Sequence, residues 1–138
     1  MTFERAFVAK KINELKGYIG ELYDLLRVPD DEILHDSGKI HIAERLLQLI
    51  VDSMIDINQH YIREQRLPTV EDYQSTFRVL GAHGILPDDF AEKLAPVVGL
   101  RNIVVHRYEQ LDKDLFIKLL RKNSDDFSRY CNEIVKKL

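Results

Sequence analysis

The chain has 138 residues, a mass of 16.2 kDa, 45% hydrophobic and 31% charged residues, and a formal net charge of −3. That size suits one domain over 1–138, the composition excludes a disordered tail, and the acidic balance excludes a charge-driven binder of duplex DNA. No uncharged apolar run reaches the roughly 18–20 residues that span a membrane, no basic-then-apolar leader opens the chain, and one cysteine, Cys131, excludes a disulfide framework and a Cys-built zinc site, so a cytoplasmic protein is expected.

Four prolines, Pro29, Pro68, Pro87 and Pro96, divide the chain into pieces of helical length, with no repeat or low-complexity tract between them. Val8, Ile12, Leu15, Ile19, Leu22 and Leu26 alternate spacings of four and three, which predicts a helix over about 3–27 with Thr2 as its cap. A second long helix is expected over about 38–65, entered at Gly38, with Ile42, Leu46, Leu49, Ile50, Ile57 and Tyr61 on related faces. Thr69 is placed to cap a short helix with Tyr73, Phe77 and Leu80 on its apolar side, ended by Gly81 and Gly84. Pro87-Asp88-Asp89 starts another helix, which Pro96 kinks or restarts. Helix is expected again from Leu100 to Glu109, and a last one over about 113–137. Strand alternation is nearly absent. The expected fold is all-α: an up-and-down bundle of four main helices with one extra short helix after Pro68.

Metal chemistry finds little support. A di-iron bundle needs two Glu-x-x-His motifs, and the chain has one, Glu32-Ile33-Leu34-His35, in a stretch that reads as a solvated turn. Neither a zinc-protease helix nor a phosphate-cradling glycine loop is present. No metal and no cofactor is expected. Cys131, on the last amphipathic helix, reads as a packed small hydrophobe.

The informative stretch is Leu100-Arg101-Asn102-Ile103-Val104-Val105-His106-Arg107-Tyr108-Glu109. At roughly 100° per residue, Arg101, Asn102, His106 and Tyr108 border one broad polar surface, and Asn102 reaches His106 at i, i+4. Arginine offers a permanent cation and a planar fork for phosphate oxygens. Histidine moves protons near neutral pH. These are the parts for metal-free cleavage of an RNA phosphodiester, with imidazole as proton carrier and guanidinium as charge stabiliser. The spacing alone is weak. A second match, Arg78…His83, lacks the following Asn and the His-x-Tyr, and Gly81 interrupts it, so it is read as a chance pair. Asp52 and Asp56, one turn apart, fit the solvated side of a helix better than an inward role orienting Arg101.

Arg101-Asn102-x-x-x-His106-x-Tyr108 resembles the Arg-x4-His-x-Tyr motif of the HepT-type toxins in the HEPN superfamily. Glu44-Arg45-Leu46-Leu47-Gln48, with Asp52 and Asp56, is similar to that family's second-helix pattern, and Leu80 to Phe90 to the connection before its motif helix. The resemblance implies a helical bundle that dimerises so that two motifs line one cleft, and a metal-independent endoribonuclease acting as the toxin of a toxin–antitoxin pair. Arg101 and His106 would be catalytic, Asn102 would support His106, and RNA would be the substrate. The implied partner is a nucleotidyltransferase-fold antitoxin that adenylylates Tyr108. Two other readings stay open on the residues alone: a non-catalytic nucleotide- or partner-binding subunit of a nucleotidyltransferase, and an inert dimeric scaffold.

Overall fold

The structure, a computed structural model, describes residues 4–138. Thr2, the expected first cap, lies outside them. Seven α-helices and one 3-10 turn follow in order: α1 (Arg5–Leu25), α2 (Asp30–Leu34), α3 (Ser37–Glu64), α4 (Tyr73–Ala82), α5 (Asp88–Leu94), α6 (Val97–His106), the 3-10 turn Tyr108–Gln110, and α7 (Lys113–Lys136). The described residues contain no strand.

The apolar stripes explain the packing. Helix α1 buries Val8, Ile12, Leu15, Ile19 and Leu22, the residues of its four-and-three spacing. The longest helix, α3, sits at the centre and packs against α1, α2, α4, α6 and α7. Its buried face includes Ile40, Ala43, Leu46, Leu47, Ile50, Val51, Met54, Ile57 and Tyr61. Each fully buried Leu, Ile or Val contributes roughly 1.5–3 kcal/mol, so α3 is the element on which the bundle depends most. Phe77, Phe90, Phe116, Phe127 and Tyr130 fill the space around it.

Aspartates start three of the helices. Asp36 accepts from the Gly38 and Lys39 amides at 2.9 and 3.2 Å, Asp72 from Ser75 at 2.7 Å, and Asp112 from Leu115 at 3.1 Å. Thr69 therefore does not cap α4. The carboxylate three residues on does, and Thr69 lies in the lead-in. Gly81 does not end α4 either. A Cβ there would stand 2.7 Å from the Ala91 Cβ, so this glycine lets α4 and α5 approach closely. The stop falls at Gly84, φ +74°, where the Ile85 amide reaches back to the Leu80 carbonyl at 3.0 Å. The end of α3 uses the same turn with Arg66 at φ +53°, its Leu67 amide bonded to Ile62 at 2.9 Å. Of the kink or restart expected at Pro96, the structure shows the restart, which divides the stretch after Pro87 into α5 and α6.

One buried polar chain ties three helices together. The Tyr130 hydroxyl of α7 donates to Asn58 Oδ1 of α3 at 2.7 Å, and Asn58 Nδ2 donates to Thr76 Oγ1 of α4 at 3.1 Å. Thr76 Oγ1 then donates to the Tyr73 carbonyl at 2.6 Å. Burial pushes the Tyr130 phenol well above its ordinary pKa, so it stays a donor. The first turn of α4 is thereby fixed to α3. That turn forms one wall of the site.

Candidate active site

Helix α6 carries Arg101, Asn102 and His106 and crosses the α3 face that presents Asp52. The Arg101 Nε donates to Asp52 Oδ1 at 2.8 Å. Its Nη1 donates to Asn102 Oδ1 at 3.1 Å, and its guanidinium carbon lies 5.9 Å from the centroid of the Tyr73 ring. The arginine side chain is only 14% exposed, and the aspartate 37%. A guanidinium has five N–H donors; one on Nε and one on Nη1 are used, and three remain. Asp52 thus takes the inward role that its spacing with Asp56 did not favour. Asp56 instead pairs with Lys11 of α1 at 3.0 Å.

Arg101 and His106 line one open pocket of about 500 Å³ together with Asn102, the capping Asp72, and Tyr73 and Gln74 of the first turn of α4. The His106 side chain is exposed and makes no hydrogen bond among the described residues. Asn102 does not hold it. The Asn102 carbonyl oxygen faces Arg101, because the long arginine chain folds back onto its neighbour. What the pocket presents is an anchored cation and an imidazole that makes no hydrogen bond among the described residues.

Tyr108 lies elsewhere than the helical wheel implied. Helix α6 stops at His106: Arg107 leaves helical geometry at φ −138° and ψ 44°, and residues 108–110 form the 3-10 turn. No Gly or Pro marks that stop. Two contacts with the bundle decide it: the Tyr108 hydroxyl donates to Glu44 Oε2 of α3 at 3.0 Å, and Leu111 packs against the core. Tyr108 is not among the pocket's lining residues. Glu44 and Asp52 are eight residues apart on α3, about 12 Å along its axis, so Tyr108 and Arg101 dock at two stations of the same helix. Glu44 was missed as an individual residue. The available signal was an acid set inside α3's apolar run, next to Ala43 and Leu46.

The alternative motifs are occupied structurally. Arg78 Nε contacts both Glu92 oxygens, at 3.1 and 3.0 Å, joining α4 to α5, while His83 follows the end of α4 exposed to solvent. The His35 Nδ1 lies 2.8 Å from the Asp31 carbonyl in the turn after α2, and Glu32 lies 3.9 Å from Lys39. No group of three or more His, Cys, Asp or Glu among the described residues is arranged to hold a metal. Cys131 is buried, and that burial pushes its thiol up to about 11. No described helix is long and apolar enough to cross a membrane.

The family described as "Ribonuclease HepT-like" matches residues 15–134, nearly the whole bundle and all of the Arg101–Tyr108 motif. The chain belongs to the HepT-like ribonuclease family. Among its curated relatives, the tRNA nuclease HepT of Aphanizomenon flos-aquae is 29% identical over 133 residues, covering 95% of this chain and 89% of that protein. The mRNA nuclease HepT of Shewanella oneidensis is 30% identical over 88 residues, covering 64% of this chain and 66% of that protein. Among solved structures, the tri-AMPylated Shewanella oneidensis HEPN toxin in complex with an MNT antitoxin superposes with a TM-score of 0.87 at 23% identity, covering 96% of this chain and 99% of that one. YutE from Bacillus subtilis, a cytosolic protein of unknown function, gives the same TM-score at 13% identity over 100% and 93% of the two chains. The HepT-like family and the HEPN fold expected from the motif are both borne out.

Proposed function

We propose that this chain is a metal-independent endoribonuclease, the toxin of a toxin–antitoxin pair, with Arg101 and His106 as its catalytic residues. The observation that carries the reading is the pocket they share: Arg101 is anchored by Asp52, and His106 is exposed without a hydrogen-bond partner among the described residues. Neutral His106 takes the proton of an RNA 2′-hydroxyl, whose oxygen then attacks the neighbouring phosphorus. Negative charge grows on the phosphoryl oxygens, and the three N–H donors left on Arg101 face it. The 5′-oxygen leaves with a proton from a second imidazole.

A twofold dimer supplies that second imidazole across one cleft. In support, Ile103, Val104 and Val105 on α6 are only half-buried, and Ile42 of α3 is 53% exposed. Such apolar surface is what a second copy covers. Control falls to a nucleotidyltransferase-fold antitoxin that attaches AMP to Tyr108, the family's motif tyrosine. The relative solved as a tri-AMPylated toxin with its MNT antitoxin supports this. At Tyr108 the added bulk and negative charge stand at one end of the motif surface and oppose entry of an RNA backbone. The antitoxin and RNA are thus the two partners, and Asn102 supports Arg101 rather than His106.

The test is purified protein and RNA in excess chelator. Cleavage leaving 2′,3′-cyclic phosphate and 5′-hydroxyl ends is the expected result. Cleavage that appears only on adding a divalent metal, or that leaves 5′-phosphates, refutes the mechanism.

A further inference from the structure

Glu44 is a carboxylate where packing alone calls for an apolar side chain. It lies in α3 beside Ala43, Leu46 and Leu47 and is 7% exposed. Burying such a group is costly unless it is partnered, and an apolar side chain of similar size serves packing as well. No arginine or lysine among the described residues pairs with it. Its side-chain hydrogen-bond partner there is the Tyr108 hydroxyl, 64 residues on, at 3.0 Å. Tyr108 itself is 39% exposed. The Lys113 ammonium at the start of α7 stands 5.6 Å from its ring centroid, a second contact that fixes the ring. A buried acid is therefore held against the oxygen of a reachable phenol.

That arrangement suits nucleophilic use of the phenol. Phenols ionise near pH 10 and attack phosphorus poorly while protonated. A hydrogen bond from Oη to an inward carboxylate gives the proton a destination, and no donor among the described residues occupies the oxygen lone pairs.

We propose that Glu44 positions the Tyr108 hydroxyl and accepts its proton when AMP is transferred to that oxygen. This rests on the reading of Tyr108 as the site of adenylylation. The co-reactant is ATP held by the antitoxin. The Tyr108 Oη–Pα bond forms, the bond from Pα to the β-phosphate oxygen breaks, and pyrophosphate leaves with the electron pair. The phenolic proton passes to Glu44 Oε2 and from there to water. The product ester has no O–H to donate, so Glu44 loses its partner and the modified ring is released from α3.

Glu44→Gln keeps the shape and an acceptor oxygen but removes the base. The experiment measures steady-state transfer from labelled ATP to the purified chain by its nucleotidyltransferase antitoxin across a pH series, with the label mapped by mass spectrometry. Expected is a drop of about 10²-fold in kcat with KM for the chain unchanged, and a residual rate that climbs with pH as the phenol ionises unaided. Glu44→Asp retains a carboxylate, so it loses less and keeps the wild-type pH profile.

A Glu44→Gln chain labelled on Tyr108 at the wild-type rate and pH profile overturns the role of Glu44 while leaving Tyr108 as the modification site. A loss confined to KM, or an Asp variant as slow and as pH-dependent as the Gln one, reduces Glu44 to a structural residue and also overturns it. No label on Tyr108 of the wild type removes the modification reading, and this proposal with it.

Discussion

Asp52→Ala tests whether Arg101 works because it is held. The ion pair is short, 2.8 Å, with the arginine 14% and the aspartate 37% exposed. A hydrogen bond to a charged group is worth about 1.5–3 kcal/mol when shielded. Solvent reaches Asp52, so its contribution to stability is placed at about 1 kcal/mol. The catalytic effect should be larger than that. Without Asp52 the guanidinium loses its Nε anchor and keeps only Asn102 and the Tyr73 ring. Misplacing a catalytic group by about 1 Å costs on the order of 10²-fold in rate. Single-turnover RNA cleavage should therefore fall roughly 10- to 100-fold, while Asp52→Asn, which keeps an acceptor oxygen, loses less. The decisive control is the double variant. In an Arg101→Ala background, removing Asp52 should change the rate no further, because it acts through that arginine. Wild-type cleavage by Asp52→Ala, or an equal loss in both backgrounds, would show that Asp52 does not act through Arg101.

Two further predictions concern stability. Arg66→Gly should raise it by about 1 kcal/mol, because an L side chain at φ +53° pays a left-handed penalty that glycine avoids; a lower midpoint in urea would show that the Arg66 side chain matters more than its backbone. His60 is buried against Phe7, with ring centroids 4.7 Å apart, and burial together with the nearby Arg63 lowers its pKa. Its neutral form is thus favoured in the fold, so this stability is present above about pH 6.5 and is lost as pH falls below it. Urea titrations between about pH 7.5 and about pH 5.5 should show that slope, and His60→Gln should flatten it; an unchanged slope would place the effect on other groups.

Legibility in the sequence followed the range of the interaction. The stripes of α1, α3 and α7 are legible because a bundle helix writes its buried face at fixed spacing, and the motif that holds Arg101 and His106 runs over only six residues. Contacts that position the site were not readable, since Asp52 is 49 residues from Arg101 and Glu44 is 64 from Tyr108. Nothing local distinguishes Asp52 from a solvated acid, and the apolar run around Glu44 marks burial without naming its partner. The wheel placed Tyr108 beside Arg101 because it assumed helix to Glu109. Tertiary contacts ended α6 at His106 without a breaker residue, so the angle no longer applied. Gly81 looked like a stop because glycine weakens helices, whereas here its missing Cβ is what α5 requires.

In the proposed mechanism His106 moves a proton in RNA cleavage. Single-turnover cleavage in chelator should fall on the order of 10²- to 10⁴-fold in His106→Ala, with circular dichroism and mass in solution unchanged, because the side chain is exposed. His106→Ala cutting RNA at the wild-type rate while His83→Ala is inactive would remove His106 from the chemistry.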